Sequence, residues 1–321
     1  MSRANVSKGV FVLMKVKRIW FISLLLHLGL VLTVFFSSSS FALSKDIVLL
    51  SDIAYGEFEQ QRLDVYYPAV KKQAAPVIFM VHGGAWRLGD KASKAVVKNK
   101  VAHWVSKGFI FISVNYRMLP EAQPLEQAQD VEMAIRFSQQ HAYKWGGSAE
   151  KFILMGHSAG AHLVSLISAR QNDDITPWLG TVSLDSAAYD VEKIMNSDNI
   201  PSFYEKAFGF SSVYWMTASP SHALSKTMPP FLAVCSTSRK DDACLQAKTF
   251  VEKALQYGTD AQVLPVTFSH RKINVKLGAD YCYTRDVDAF IKTLHPSVEA
   301  LLSSEQRPQR WSTKQQRCVD G

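Results

Sequence analysis

The residues best suited to chemistry gather around one serine. Ser158 lies in Gly156-His-Ser-Ala-Gly160, a G-x-S-x-G pattern. The apolar run Phe152 to Met155 precedes it, and Ala161 to Ala169 follows with Leu163, Leu166 and Ile167 at helical spacing. The serine is thus predicted on a strand-to-helix turn, the setting in which this pattern carries meaning. A side chain at Gly156 or Gly160 would collide with the neighbouring strand or helix in so tight a turn. The backbone N–H of Ala159, at the helix N-terminus, is placed to face an anion. A serine hydroxyl is a weak nucleophile until a base takes its proton and a carboxylate orients that base. The chemistry in view is therefore acyl transfer.

The elements that must position this serine read as alternating strands and helices. Leu63 to Tyr67 alternates and ends at Pro68, whereas Val77 to Val81 and Phe109 to Asn115 are too apolar for a sheet with one wet face. Helices are predicted over 91–107, Leu125 to Ala142, Leu245 to Tyr257 and Thr284 to Leu294. Strands are predicted over Gly180 to Asp185, Phe231 to Cys235 and Gln262 to Thr267. Residues 186–228 break the alternation. They hold Tyr189, Phe203, Tyr204, Phe208, Phe210, Tyr214 and Trp215, with Pro201 and Pro220 as breakers, and are expected to form a cap over the strand ends.

A second motif, His82-Gly-Gly-Ala-Trp86, follows the strand Val77 to Val81. With G-x-S-x-G downstream of it, the chain resembles the α/β-hydrolases that carry an H-G-G-x-W loop, among them hormone-sensitive-lipase-like esterases and kynurenine-formamidase-like enzymes. Tyr116-Arg-Met-Leu-Pro-Glu121 resembles a turn of the same family, in which Arg117 and Glu121 would brace the loops. The resemblance runs from about residue 62 to 294. It implies an α/β-hydrolase fold with a mostly parallel eight-stranded sheet flanked by helices and a small cap insertion. It also implies an oxyanion hole from the N–H groups of Gly84 and Ala85, joined by Ala159, and the chain order serine, acid, histidine. Among nine histidines, only His270 stands on a loop just past a late strand, so it is the expected base. Asp241 and Asp242 share the expected acid loop. The family's spacing from acid loop to helix lands on Asp241, with Asp242 then a helix N-cap and Asp185 and Glu192 the remoter alternatives. No metal or organic cofactor is implied.

Composition fits this reading. A length of 321 residues, 47% hydrophobic, allows one large α/β domain. The N-terminus differs. Lys15, Lys17 and Arg18 precede an apolar stretch from Ile19 to Phe36, then four serines and Phe41-Ala42. Residues 1–42 are expected to be a signal peptide cut after Ala42, the alternative being a retained membrane anchor. This segment holds five of the 36 Lys/Arg and none of the 28 acids, so the remainder carries 31 basic against 28 acidic residues, a net +3 rather than +8. Those charges are interspersed, which excludes a nucleic-acid footprint. Four cysteines in an exported chain suggest two disulfides, expected as Cys235–Cys244 and Cys282–Cys318. The expected organisation is a leader over 1–42, a hydrolase domain over 43–295 with its cap, and a polar tail over 296–321. The expected activity is exported (periplasmic or secreted) hydrolysis of a small-molecule ester, or of an amide by the same machinery.

Overall fold

A computed structural model describes residues 44–304. The leader 1–42 and Cys318 lie outside them. Eight strands form one sheet: β1 (Ile47–Ala54), β2 (Arg62–Pro68), β3 (Ala75–Val81), β4 (Ile110–Val114), β5 (Gly147–His157), β6 (Gly180–Leu184), β7 (Phe231–Ser236) and β8 (Ala261–Val266). Their order is β1-β2-β4-β3-β5-β6-β7-β8. The pairs β1–β2 and β2–β4 are antiparallel, and every pair from β4 to β8 is parallel. β5 is therefore central, with β6, β7 and β8 beside it in sequence order.

The inner strands β3 and β4 and the second half of β5 are largely apolar because both their faces are covered. Val77, Phe79 and Val81 of β3 point to one core, with Phe152 and Leu154 of β5. Helices α2 (Pro124–His141) and α3 (Ala159–Arg170) close that face through Val131, Ile135, Leu163 and Ile167. Ile78 and Met80 point the other way, with Ile153 and Met155. There α1 (Lys94–Trp104), α9 (His270–Lys276) and α10 (Tyr281–Thr293) cover them through Val101, Trp104, Ile273, Val287 and Ile291. Helix α8 (Ala243–Gln256) packs Phe250 on Phe231 and Tyr189 at the sheet's far end.

Residues 186–228 hold four short helices: α4 (Val191–Met195), α5 (Ser202–Phe208), α6 (Ser212–Ala218) and α7 (Pro220–Ala223). Their aromatics divide. Tyr204 and Phe208 are buried in the α2–α3 core, while Phe210 is 86% exposed. The tail also departs from expectation. Pro296–Ser303 forms a further helix, α11, whose Val298 is fully buried against the α10 side of the sheet. Pro296 at its first turn and the His295 side chain accepting from Ser297 N start it, a signal too short to yield a periodicity.

Candidate active site

Ser158 sits between β5 and α3 with φ 56° and ψ −120°, a conformation that L residues rarely hold. Two close approaches enforce it. A Cβ on Gly160 would lie 2.3 Å from Val81 O, and one on Gly156 would lie 2.3 Å from Gly160 O. The turn can therefore nest against the end of β3 only with glycine at both places, as expected from the motif. Ser158 N donates to Leu184 O at 3.0 Å, which ties the turn to β6.

His270 arrives from beyond β8, on the first residue of α9. Its Nε2 lies 2.9 Å from Ser158 Oγ. Its Nδ1 lies 2.6 Å from Asp185 Oδ2. Nδ1–H donating to the carboxylate leaves Nε2 to accept from the serine. The rest of the Asp185 carboxylate is also engaged, Oδ1 accepting from Ser236 N at 2.8 Å. Its side chain is fully buried, yet its partners hold its pKa below the usual carboxylate value: burial opposes this, and the hydrogen bond from His270 and the charge of Arg239 outweigh it.

This corrects the expected acid. Asp241 is not the carboxylate on the imidazole. It accepts from Arg239, through Nε at 2.8 Å and through Nη2. Arg239 occupies the place on the β7–α8 loop that comes nearest the ring, its Nη1 3.0 Å from His270 Nδ1. The sequence order serine, acid, histidine is satisfied by Asp185 and Asp241 alike. The signal for Asp185 was its position directly after the apolar strand Gly180–Leu184, next to β5 in the sheet. Asp242 does precede α8 at the N-cap position, but its φ of 50° turns it left-handed and its side chain makes no capping bond.

The second loop lies against the first. A Cβ on Gly83 would be 2.5 Å from His157 O, so this loop reaches the serine only as glycine. Gly84, Ala85 and Trp86 follow with φ of 140°, 52° and 59°. Among the described residues, the N–H groups of Gly84, Ala85 and Ala159 find no acceptor within the chain. All three residues line the cavity that Ser158 and His270 line, about 670 Å³ in volume. Leu88, Phe203 and Tyr204 give it apolar walls. A second cavity of about 400 Å³ adjoins it at Ala187, Tyr204 and Asp241.

The surroundings hold these groups still. His157 lies behind the base, ring centroids 4.7 Å apart, with its Nε2 3.0 Å from His270 O. Burial lowers its pKa to about 3, so it is neutral and its N–H fixes the backbone of the base. Trp86 packs on Phe208 and Tyr204, and its Nε1–H donates to His162 Nδ1 at 3.2 Å. Arg117 meets Asp130 of α2 through three bonds, from its backbone N–H at 3.0 Å and its guanidinium at 2.9 and 2.7 Å, which suits the bracing role expected for it, whereas Glu121 is exposed. The Cys235–Cys244 disulfide is present as expected and closes the loop that carries Arg239 and Asp241. Cys282 is also disulfide-bonded. Among the described residues no group of three or more His, Cys, Asp or Glu side chains is placed to hold a metal ion.

The fold is that of the α/β-hydrolases, and the site has the layout of a serine nucleophile beside an imidazole and a carboxylate. The comparisons agree with the fold. The structure superposes on esterase B of Lactobacillus rhamnosis with a TM-score of 0.62 at 19% identity, covering 81% of this chain and 88% of that one. A truncated carbohydrate esterase from gut microbiota gives 0.65 at 20% identity, over 77% of this chain and 97% of that one. Residues 63–206 match the BD-FAE family model. In sequence the chain is 25% identical, over 66% of its length, to the Probable isoprenylcysteine alpha-carbonyl methylesterase ICMEL1 of Oryza sativa subsp. japonica, 49% of which is covered. It is 29% identical to the kynurenine formamidase of Danio rerio over 46% of this chain and 49% of that one. It is 34% identical to the Probable carboxylic ester hydrolase LipM of Mycobacterium tuberculosis over 38% of this chain and 28% of that one. The chain thus spans about half or less of the length of these relatives. Their names bear out the resemblance to α/β-hydrolase esterases and formamidases read from the motifs.

Proposed function

We propose that the protein is a serine hydrolase of small to medium carboxylic esters, acting through an acyl-enzyme. One observation carries the reading: the hydrogen-bonded line Ser158–His270–Asp185 ends at the same cavity as three amides without acceptors. His270 takes the Ser158 proton as Oγ attacks the ester carbonyl. The carbonyl oxygen, now an anion, is held by the N–H groups of Gly84, Ala85 and Ala159, donors that are fixed before charge develops. His270 gives its proton to the departing alcohol oxygen. Water then enters, loses a proton to His270, and releases the acid from Ser158. Asp185 stays ionised throughout and stabilises the imidazolium between steps.

The same groups act on an amide if the base protonates nitrogen, and the similarity to kynurenine formamidases favours keeping that second reading. A panel of aryl esters and N-formyl anilides separates the two. An ester preference in kcat/KM of about a hundredfold, some 2.7 kcal/mol, would exclude the amidase. Ser158→Ala should abolish turnover and labelling by a fluorophosphonate. Retention of either would overturn the mechanism. Export is also part of the proposal. It is supported by the basic and apolar pattern of residues 1–42 and by a disulfide of the kind that oxidising compartments preserve. Mass spectrometry of the exported protein should find Leu43 as the N-terminal residue; a full-length product in the membrane fraction would mean an anchor instead.

A further inference from the structure

The guanidinium of Arg239 stands where its loop comes nearest the base, and the mechanism above leaves it unused. Its Nη1 donates to Asp185 O at 2.9 Å and to Asp185 Oδ2 at 3.1 Å. That oxygen also receives the imidazole N–H. Because Nδ1 already bears the proton it gives to Asp185, Nη1 cannot donate to Nδ1, and the 3.0 Å between them is an approach of two donors sharing one acceptor. The other edge of the guanidinium is held by Asp241. Arg239 and Asp241 both lie in the loop closed by Cys235–Cys244.

We propose that Arg239 is a positioning residue of the catalytic line: clamped by Asp241 in the disulfide-closed loop, it fixes the Asp185 carboxylate toward His270 and keeps a positive charge beside the imidazole. The inference rests on the serine-hydrolase reading above. The physical case has two parts. Asp185 has a left-handed φ of 59° and a side chain with no exposure, so its carboxylate needs partners on every oxygen. Ser236 N, at the end of β7, and His270, after β8, supply two, and Arg239 supplies the third from the loop that follows β7. A fixed cation beside the ring also repels a second positive charge there, so its loss should be felt by the imidazole.

Charged and titratable groups face the imidazole or its neighbours Asp185 and His157 from several elements: Arg239 and Asp241 after β7, His157 at the end of β5, Tyr204 on α5, Tyr283 on α10 and Lys100 on α1, with Asp185 itself after β6. Arg271 follows the base on its own helix, and Asp90 lines the same cavity. Among the described residues, Asp185 and Arg239 are those within hydrogen-bond distance of Nδ1. Arg239 is therefore the cation whose removal the imidazole should feel most.

The test follows two rates against pH in the full exported chain: turnover of an aryl ester, and phosphonylation of Ser158 by a fluorophosphonate. Arg239→Met should lower both about 10- to 100-fold, mainly in kcat rather than KM, and move the acid limb to higher pH by about half a unit to one unit. Arg239→Lys should keep the limb near its wild-type place while recovering part of the rate. Asp241→Asn, which loosens the clamp and leaves the cation, should show a smaller loss. Thermal melts of each variant exclude misfolding as the cause. Wild-type rate and limb in a folded Arg239→Met protein would overturn the inference and leave the hydrolase reading intact, as would a lower rate with an unmoved limb. A wild-type protein that neither turns over esters nor reacts with the probe would overturn both.

Discussion

At the scale of single residues, the assignment of the acid makes the sharpest demand. Asp185→Asn would place an amide against Nδ1 and favour the wrong imidazole tautomer. The expected loss in kcat is on the order of a thousand- to ten-thousandfold, the size seen when a serine-protease acid is neutralised. Asp241→Asn should cost no more than about tenfold, because its carboxylate reaches the ring only through Arg239. Kinetics on a single aryl ester order the two variants. Equal losses, or the reverse order, would return the role to Asp241. The meeting of Ser158 and His270 was legible in the sequence because each follows a strand, the serine within G-x-S-x-G and the histidine on a loop past a late strand. The acid was not. Two aspartates obeyed the same chain order, and the choice depended on how Asp185 turns after β6 and on an arginine filling the place beside the β7 loop. Neither leaves a local mark in the sequence.

At the scale of elements, the fold's strands and covering helices were legible wherever a run of one period was long. β3, β4 and the second half of β5, from Phe152, are buried on both faces and so are largely apolar, and α2 shows its apolar face over 18 residues. The four cap helices run only 4 to 7 residues each, too short for periodicity to declare itself. The element that carries a prediction is the β7–α8 connection. Its disulfide spans a sequence separation of 9, and closing so short a loop contributes about 2–3 kcal/mol in the chain-entropy account. Because that loop also holds Arg239 against Asp185, Cys235→Ser with Cys244→Ser should lower both melting temperature and kcat. An unchanged kcat alongside a lowered melting temperature would show that the loop keeps its shape without the bond.

At the scale of the whole molecule, His162 joins three parts that are distant in sequence. It stands on α3, accepts from Trp86 of the glycine loop, and has its Nε2 2.8 Å from Ala218 O of the cap. Burial lowers its pKa to about 4, and that of His157 to about 3. In the unfolded chain both take up a proton near pH 6.5. Between about pH 6.5 and 4 the unfolded state therefore binds more protons than the folded one. Stability should be full above that range and fall as pH drops through it. Protonated His162 would also set N–H against the N–H of Trp86. Denaturant midpoints across this range should fall with decreasing pH in the wild type. His162→Asn, though less stable at neutral pH, should show a slope shallower by about one proton, near 1.4 kcal/mol per pH unit. An unchanged slope would mean that the ring already carries charge in the native state.

The cap contributes walls and no reacting group: Phe203 and Tyr204 face the cavity, while the serine, the imidazole, both carboxylates and the amides all come from sheet-borne loops. On the proposed mechanism, this division separates what the molecule accepts from how it cuts. Randomising the outward half of α5 and the turn after it ought to yield siblings with new preferences but the same appetite for a small organophosphorus reagent. Diversity could then accumulate in that region without each variant having to rediscover its bond-breaking apparatus.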